Sequence, residues 1–382
     1  MVTETYPPEV NGVARTMERM VEGLRARGHA IQLVRPRQGR ADRAAAAPAY
    51  SELLRPGVRL PRYPQLRIGL PSGRALRKAW SRERPDIVHI ATEGPLGWSA
   101  LSAARSLAIP VATDFHTNFH SYARHYGLGW LQHAVGRYLR FFHNRGACTL
   151  VPTPELAEVL RTHGIRRLRV VGRGVDHRTF SPERRSARLR AEWGADERTP
   201  VALCVSRLAA EKNLALALEA HRAMRAVHPR ALLVLVGDGP LREELRRRAG
   251  EGVVFAGAQF GDRLAEHYAS ADVFLFPSTT ETFGNVTLEA MASALAVVAY
   301  DYAAARQYLA HGRSGLLAPP ADRQAFVGHA VRLAGDLAWA RALGRAARAA
   351  ARQLDWTGAV AQFESALLAA VAAGAPQARA GS

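Results

Sequence analysis

A chain of 382 residues is long for one ordinary domain and comfortable for two, and with 48% hydrophobic residues it can bury sizeable cores. Its formal charge of +19 rests on 52 basic residues, of which only Lys78 and Lys212 are lysines, so much of the charge reads as an arginine and alanine bias of GC-rich coding. No basic module interleaved with exposed aromatics accompanies it, so no nucleic-acid partner is expected, and phosphate-rich ligands or an anionic membrane surface fit the charge at least as well.

The start, Met1-Val2-Thr3-Glu4, has neither the basic nor the apolar region of a signal peptide. No apolar run approaches the 18 or more residues of a membrane span. Cys148 and Cys204 lie in apolar, strand-like runs and read as buried thiols. Together these suit a reducing, cytoplasmic compartment, with contact on the inner face of the cell membrane as an option.

In chain order, "PPEVNGVART" turns directly into a helix over 13–26, with Gly12 at the turn in a phosphate-facing loop. Strand-like runs follow at "IQLV", "DIVHI", "VAT", "ACTLV" and "LRVV". Residues 36–75, rich in Arg, Pro and Gly, predict a long loop with one short helix. After it, "SGRALRKAWSRERP" predicts a basic amphipathic helix carrying Arg74, Arg77, Lys78 and Arg82 with Leu76 and Trp80. That helix suits either anionic lipid or an ordinary charged outer face. Beyond residue 199 come "PVALCVSR", "ALLVLVGDG", "GVVFAG", "DVFLFPS" and "LAVVAY", with helical spacing between them.

Short, fully apolar strands separated by helices mean parallel strands covered on both faces. Two such series mean an α/β protein of two doubly wound, Rossmann-like domains. The boundaries fall at 1–172, 173–353, a C-terminal helix over 354–373 that packs back on the first domain, and a disordered tail over 374–382. In a doubly wound domain the first strand is central, yet only Met1 and Val2 precede the ligand loop. That strand is therefore expected to be largely missing, Met1 to be an internal methionine, and the chain to be poorly stable.

Open parallel sheets bind ligands beyond the carboxyl ends of their strands, and unusual residues cluster there. Arg207 follows one strand and Lys212 comes five residues later, a fork and a point charge that suit a diphosphate. Gly237-Asp238-Gly239-Pro240 shapes a tight turn after the next strand. "PSTTETFGNVTLEAMAS" follows "DVFLF" and holds Glu281 and Glu289 around a helix start that Thr280 or Thr282 is expected to cap. Free N–H groups at such a start attract phosphate or sugar oxygens, and carboxylates accept from sugar hydroxyls. His116 at a strand end suits a polar group facing a ligand, while His120 and His125 suit local hydrogen bonding. His116 and His120 lack a third ligand at metal spacing, so no metal is expected.

Taken together, "TETYPPEVNGVA", "PDIVHIATEGPLG", "TDFHTNF", "GRGVDHRTFSP", "SRLAAEKN", "VGDGPLREEL" and the stretch around Glu281 resemble the retaining glycosyltransferases of family 4. The resemblance spans nearly the whole chain in order and implies the GT-B fold, with two domains facing a cleft. It implies that Arg207 and Lys212 bind a donor diphosphate and that Glu281, with the backbone of Phe283 and Gly284, holds the sugar. Glu289 would hold the ribose, with Asn285 and Leu288 lining the same substrate site. Gly12 would lie near the phosphates and His116 would face the transferred sugar. No cofactor is implied, since the nucleotide sugar is itself a substrate.

The bacterial mannosyltransferase and glycolipid-synthase branch is the nearest in pattern, which points to a nucleotide-sugar donor of the GDP-mannose or UDP-glucose type and a lipid or glycan acceptor. The chain departs from the family at Ala294 and Ala296, where glycine and proline are usual, and at Ser206, where glycine is common. Small packing changes are expected there. A GT-B epimerase and a non-catalytic nucleotide-sugar or nucleic-acid binding protein are the competing readings. The Glu281–Glu289 and Arg207–Lys212 spacings speak against the epimerase.

Overall fold

The computed structural model describes residues 1–9, 11–60, 63–116 and 129–374. The chain divides into two compact units, Met1–Arg173 with Trp356–Ser382, and Gly174–Asp355. The tail read as disordered lies, from residue 375, outside the described residues, as do His120 and His125.

In the first unit, strands run β1 (Ile31–Pro36), β2 (Ala46–Ala47), β3 (Tyr50–Arg55), β4 (Gly57–Leu60), β5 (Tyr63–Gly69), β6 (Val88–Ile90), β7 (Val111–Asp114), β8 (Cys148–Val151) and β9 (Leu168–Val170). β6 to β9 are parallel neighbours in that order, and β1 pairs in parallel with β3. Val2 joins the two groups by bridging Val34 on β1 and Ile90 on β6. The amide of Val2 donates to His89 O at 2.8 Å and that of Thr3 to Val34 O at 3.0 Å. Met1–Thr3 thus lies as a short parallel segment between β1 and β6. Beside Met1, a cavity of about 480 Å³ opens between Ile31–Gln32 and Ile87–His89, walled by Trp80 and Leu367.

Residues 36–75 correct the expectation of a long loop: they hold β2 to β5. β3 is half-buried along its whole length, with no alternating face to mark it. Arg35 is 6% exposed and reaches Asp42 and Glu52, each at 2.8 Å. Because these charges satisfy one another, the segment can pair along β1 despite its polar sequence.

Leu76 and Trp80, at 0% and 3% exposure, point from the Gly73–Arg82 helix into the core beside Val88 and Ile90. Its apolar side is used in the core, so what it can offer an anionic surface is charge. Among the described residues one helical window, Trp356–Ala373, is by length and composition apolar enough to cross a membrane. Gln362 and Glu364 interrupt it. Val360, Phe363 and Leu367 pack on Met17, Met20 and Leu24, and Glu364 takes Arg27 and His29, the latter at 2.6 Å.

The second unit carries β10 (Val201–Val205), β11 (Leu232–Val236), β12 (Val253–Gly257), β13 (Val273–Phe276), β14 (Ala296–Tyr300) and β15 (Leu316–Ala318). All six are parallel, in the order β12-β11-β10-β13-β14-β15. Alternate residues serve two cores: Val201, Leu203 and Phe274 one, Ala202, Cys204 and Leu275 the other. That two-sided burial explains why the strands read as unbroken apolar runs. Strand order reverses between β10 and β13, and a crevice for ligands opens at such a reversal, beyond the strands' carboxyl ends.

Candidate functional site

In the second unit the reversal point collects the residues singled out from sequence. Arg207 follows β10 directly. A short turn over Ala210–Lys212 then brings Lys212 back to the same end of the sheet, and Asn213, at φ 51°, starts the Leu214–Val227 helix. The β11 turn lies against this loop. A Cβ at Gly237 would sit 1.9 Å from Ser206 O and one at Gly239 2.5 Å from Leu208 O, so only glycine allows the approach.

Glu281 comes from the loop after β13. Its carboxylate pairs with the Lys212 ammonium and accepts from Ser278 Oγ at 2.7 Å. Ser278 is held in turn by Tyr302, whose hydroxyl donates to Ser278 O at 2.7 Å. Arg207 pairs with Glu211. Burial pulls the Glu211 carboxyl upward, but backbone donation and Arg207 outweigh it and hold it below the usual carboxylate range. Each candidate diphosphate cation is therefore paired with a carboxylate.

The helix after Glu281 runs Asn285–Ala292. Its N-cap residue is Gly284 at φ 90°, where Thr280 or Thr282 was expected. Glycine suits this left-handed position. Phe283 is 6% exposed and stands edge-on to Tyr308 at 6.1 Å. Leu288 is fully buried in the core. Asn285 and Glu289 are half-buried, and Glu289 Oε2 accepts from Tyr268 at 2.8 Å.

In the first unit, Gly12 opens the Gly12–Ala26 helix, capped by Asn11, whose Oδ1 accepts from the Ala14 amide at 2.8 Å. His116 lies just past β7. Its Nε2 is 3.1 Å from Asp114 Oδ2, and Arg173 approaches the other oxygen at 3.5 Å. Burial pushes the Asp114 carboxyl up, but His116, Arg173 and His89 outweigh it and keep it well below the usual range. Burial pushes neighbouring His89 down to about 3, so it is neutral near pH 7.

Sequence reasoning assigned no role to Asp114, Ser278 or Tyr268. Asp114 stood inside a quoted stretch, and its spacing of two from His116 was its only signal. Ser278 lay three residues before Glu281. Tyr268 carried no signal, being 21 residues from its partner.

Residues 10–179 match the description Glycosyltransferase Family 4, and residues 199–336 match Glycosyl transferases group 1. A GDP-mannose-dependent alpha-mannosyltransferase of Mycobacterium tuberculosis (strain CDC 1551 / Oshkosh) is 36% identical over 329 residues, 84% of this chain and 83% of the relative. An alpha-monoglucosyldiacylglycerol synthase of Streptococcus pneumoniae (strain ATCC BAA-255 / R6) is 27% identical over 314 residues, 78% of this chain and 70% of the relative. Among solved structures, a sucrose-phosphate synthase from Thermosynechococcus elongatus superimposes with a TM-score of 0.78 at 21% identity, covering 97% of this chain and 99% of that one. The last likeness concerns the fold, which is GT-B.

Proposed function

The chain belongs to the family 4 glycosyltransferases, and from that premise we propose that it moves a mannose from GDP-mannose, or a related hexose from its nucleotide sugar, to a lipid acceptor. The observation that carries this reading is the meeting of Arg207, Lys212, Glu281 and Ser278 at the reversal point of the second sheet. The mannosyltransferase relative supports the donor and the diacylglycerol-modifying relative supports the acceptor.

In this reading the donor diphosphate replaces the carboxylates on Arg207 and Lys212, and the two cations stabilise charge that grows on the departing phosphate. Glu281, released from Lys212, accepts from the sugar hydroxyls. Glu289 takes the ribose. His116, oriented by Asp114, faces the transferred sugar, and Gly12 lies by the phosphates. Transfer proceeds with retention and without a metal, the acceptor proton passing to the leaving phosphate. The acceptor places the work at the inner face of a membrane, which the protein meets peripherally.

A thermal-shift panel of GDP- and UDP-sugars tests the donor. A ligand at a hundred times its dissociation constant stabilises by about 2.7 kcal/mol, so GDP-mannose should raise Tm measurably and lose that effect in Lys212→Ala. The same variant and Glu281→Ala should keep the wild-type circular dichroism spectrum while transfer falls about a hundredfold or more. Near-normal turnover by either would remove the site assignment.

A further inference from the structure

Tyr268 is fully buried on the Gly261–Ser270 helix, yet it is a tyrosine where phenylalanine would fill the same space. Its ring is fixed from two sides. Phe180 stands edge-on at 5.5 Å and Phe274 lies tilted at 5.7 Å. A ring held in this way leaves its hydroxyl little choice of direction, and a buried hydroxyl must find a partner. It donates to Glu289 Oε2 at 2.8 Å.

The partner is a half-buried carboxylate on a different helix. A free glutamate side chain of this length rotates about three bonds and loses that freedom on binding. Donation from a fixed phenol settles the carboxylate beforehand and occupies one oxygen. A carboxylate offers about four lone-pair sites, so one that takes a phenol can also accept from a vicinal diol. A core tyrosine therefore fixes the geometry of a recognition carboxylate from behind, which is how preorganisation improves affinity.

We propose that Tyr268 is a positioning residue for the nucleotide: it orients Glu289 so that its carboxylate accepts from the ribose hydroxyls. The inference rests on the reading of Glu289 given above. Tyr268 acts through Glu289 and touches neither the sugar nor the diphosphate, so its loss raises the donor KM and leaves kcat within about twofold.

The test is binding calorimetry of GDP and UDP, each beside its 2′,3′-dideoxy form, on wild type, Tyr268→Phe, Glu289→Gln and the double variant. Tyr268→Phe keeps the ring and hence the packing. It should weaken the parent nucleotide about three- to tenfold and leave the dideoxy form unchanged. The double variant should bind no more weakly than Glu289→Gln, because the two residues act as one unit. Equal weakening of both nucleotides by Tyr268→Phe, or no weakening at all, overturns the proposal. If Glu289→Gln itself treats ribose and dideoxyribose alike, the ribose reading of Glu289 fails first and takes this inference with it.

Discussion

Glu4 shows what a single buried charge does to this protein. Its carboxylate accepts from the Leu96 amide at 2.9 Å, at the start of the Pro95–Ser106 helix. Gly94 makes room, since a Cβ there would lie 2.3 Å from the carboxylate. Burial raises the carboxyl to about 7, against backbone donation from Leu96, Gly69 and Gly97. The folded pKa is above the unfolded value of 4.5, so the protonated form is the one that folding favours. The stability it brings is complete below pH 4.5 and is lost as pH rises through about 7. Glu4→Gln keeps an acceptor oxygen and carries no charge. Its Tm relative to wild type should therefore rise by several degrees between pH 4.5 and pH 8, and a difference independent of pH would refute the assignment.

At the scale of elements, the boundary between what could and could not be read from sequence follows tertiary pairing. β10, β11 and β14 were legible because both faces are buried, which leaves an unbroken apolar run. β3 was not, because the partners of Arg35 at Asp42 and Glu52 only meet once the sheet forms. Arg207, Lys212 and Glu281 were legible as strand-end residues, whereas the Tyr268–Glu289 contact depends on two helices being packed. Ala294 is a further case. It follows the Asn285–Ala292 helix at φ 60°, and the departure from the family's glycine has a conformational meaning. A left-handed alanine costs about 1–2 kcal/mol, and glycine's extra chain entropy takes back about 0.5–1. Ala294→Gly should stabilise the protein by about 0.5–1 kcal/mol in urea unfolding, and a loss of stability would contradict the strain.

The slot beside Met1 allows a second test on an element. Met1 amine donates to Gln32 O at 2.6 Å, and burial pushes its pKa down to about 5. Folding therefore favours the neutral amine, and that stability is present above pH 8 and lost as pH falls through about 5. Four β-forming apolar residues engineered ahead of Met1 would turn the amine into an amide and fill the cavity. Each buried side chain brings about 1.5–3 kcal/mol against about 1–2 for fixing its backbone, a small gain per residue. The extended protein should melt several degrees higher than one carrying Gly-Ser of equal length, and its margin over the unextended protein should widen from pH 8 to pH 6. Equal melting temperatures would show that the slot does not accept a strand.

For the molecule as a whole, the charge of +19 decides more than any one helix. The Gly73–Arg82 helix, which suited either anionic lipid or a charged outer face, has no apolar side to offer, because Leu76 and Trp80 are in the core. What it presents outward is charge: Arg74, Lys78 and Arg82 are exposed. Attraction to an anionic surface is then electrostatic, about 1 kcal/mol for each basic residue near it. Such attraction fades as the screening length shrinks from about 10 Å at 0.1 M salt to about 3 Å at 1 M. Insertion of an apolar face would instead survive salt. In flotation the protein should rise with vesicles rich in anionic lipid at low salt, stay behind with neutral vesicles, and detach near 0.5 M salt. Flotation that persists at 1 M salt would point to an inserted apolar segment, whereas no flotation with anionic vesicles at low salt would remove the membrane from the acceptor's side of the reaction.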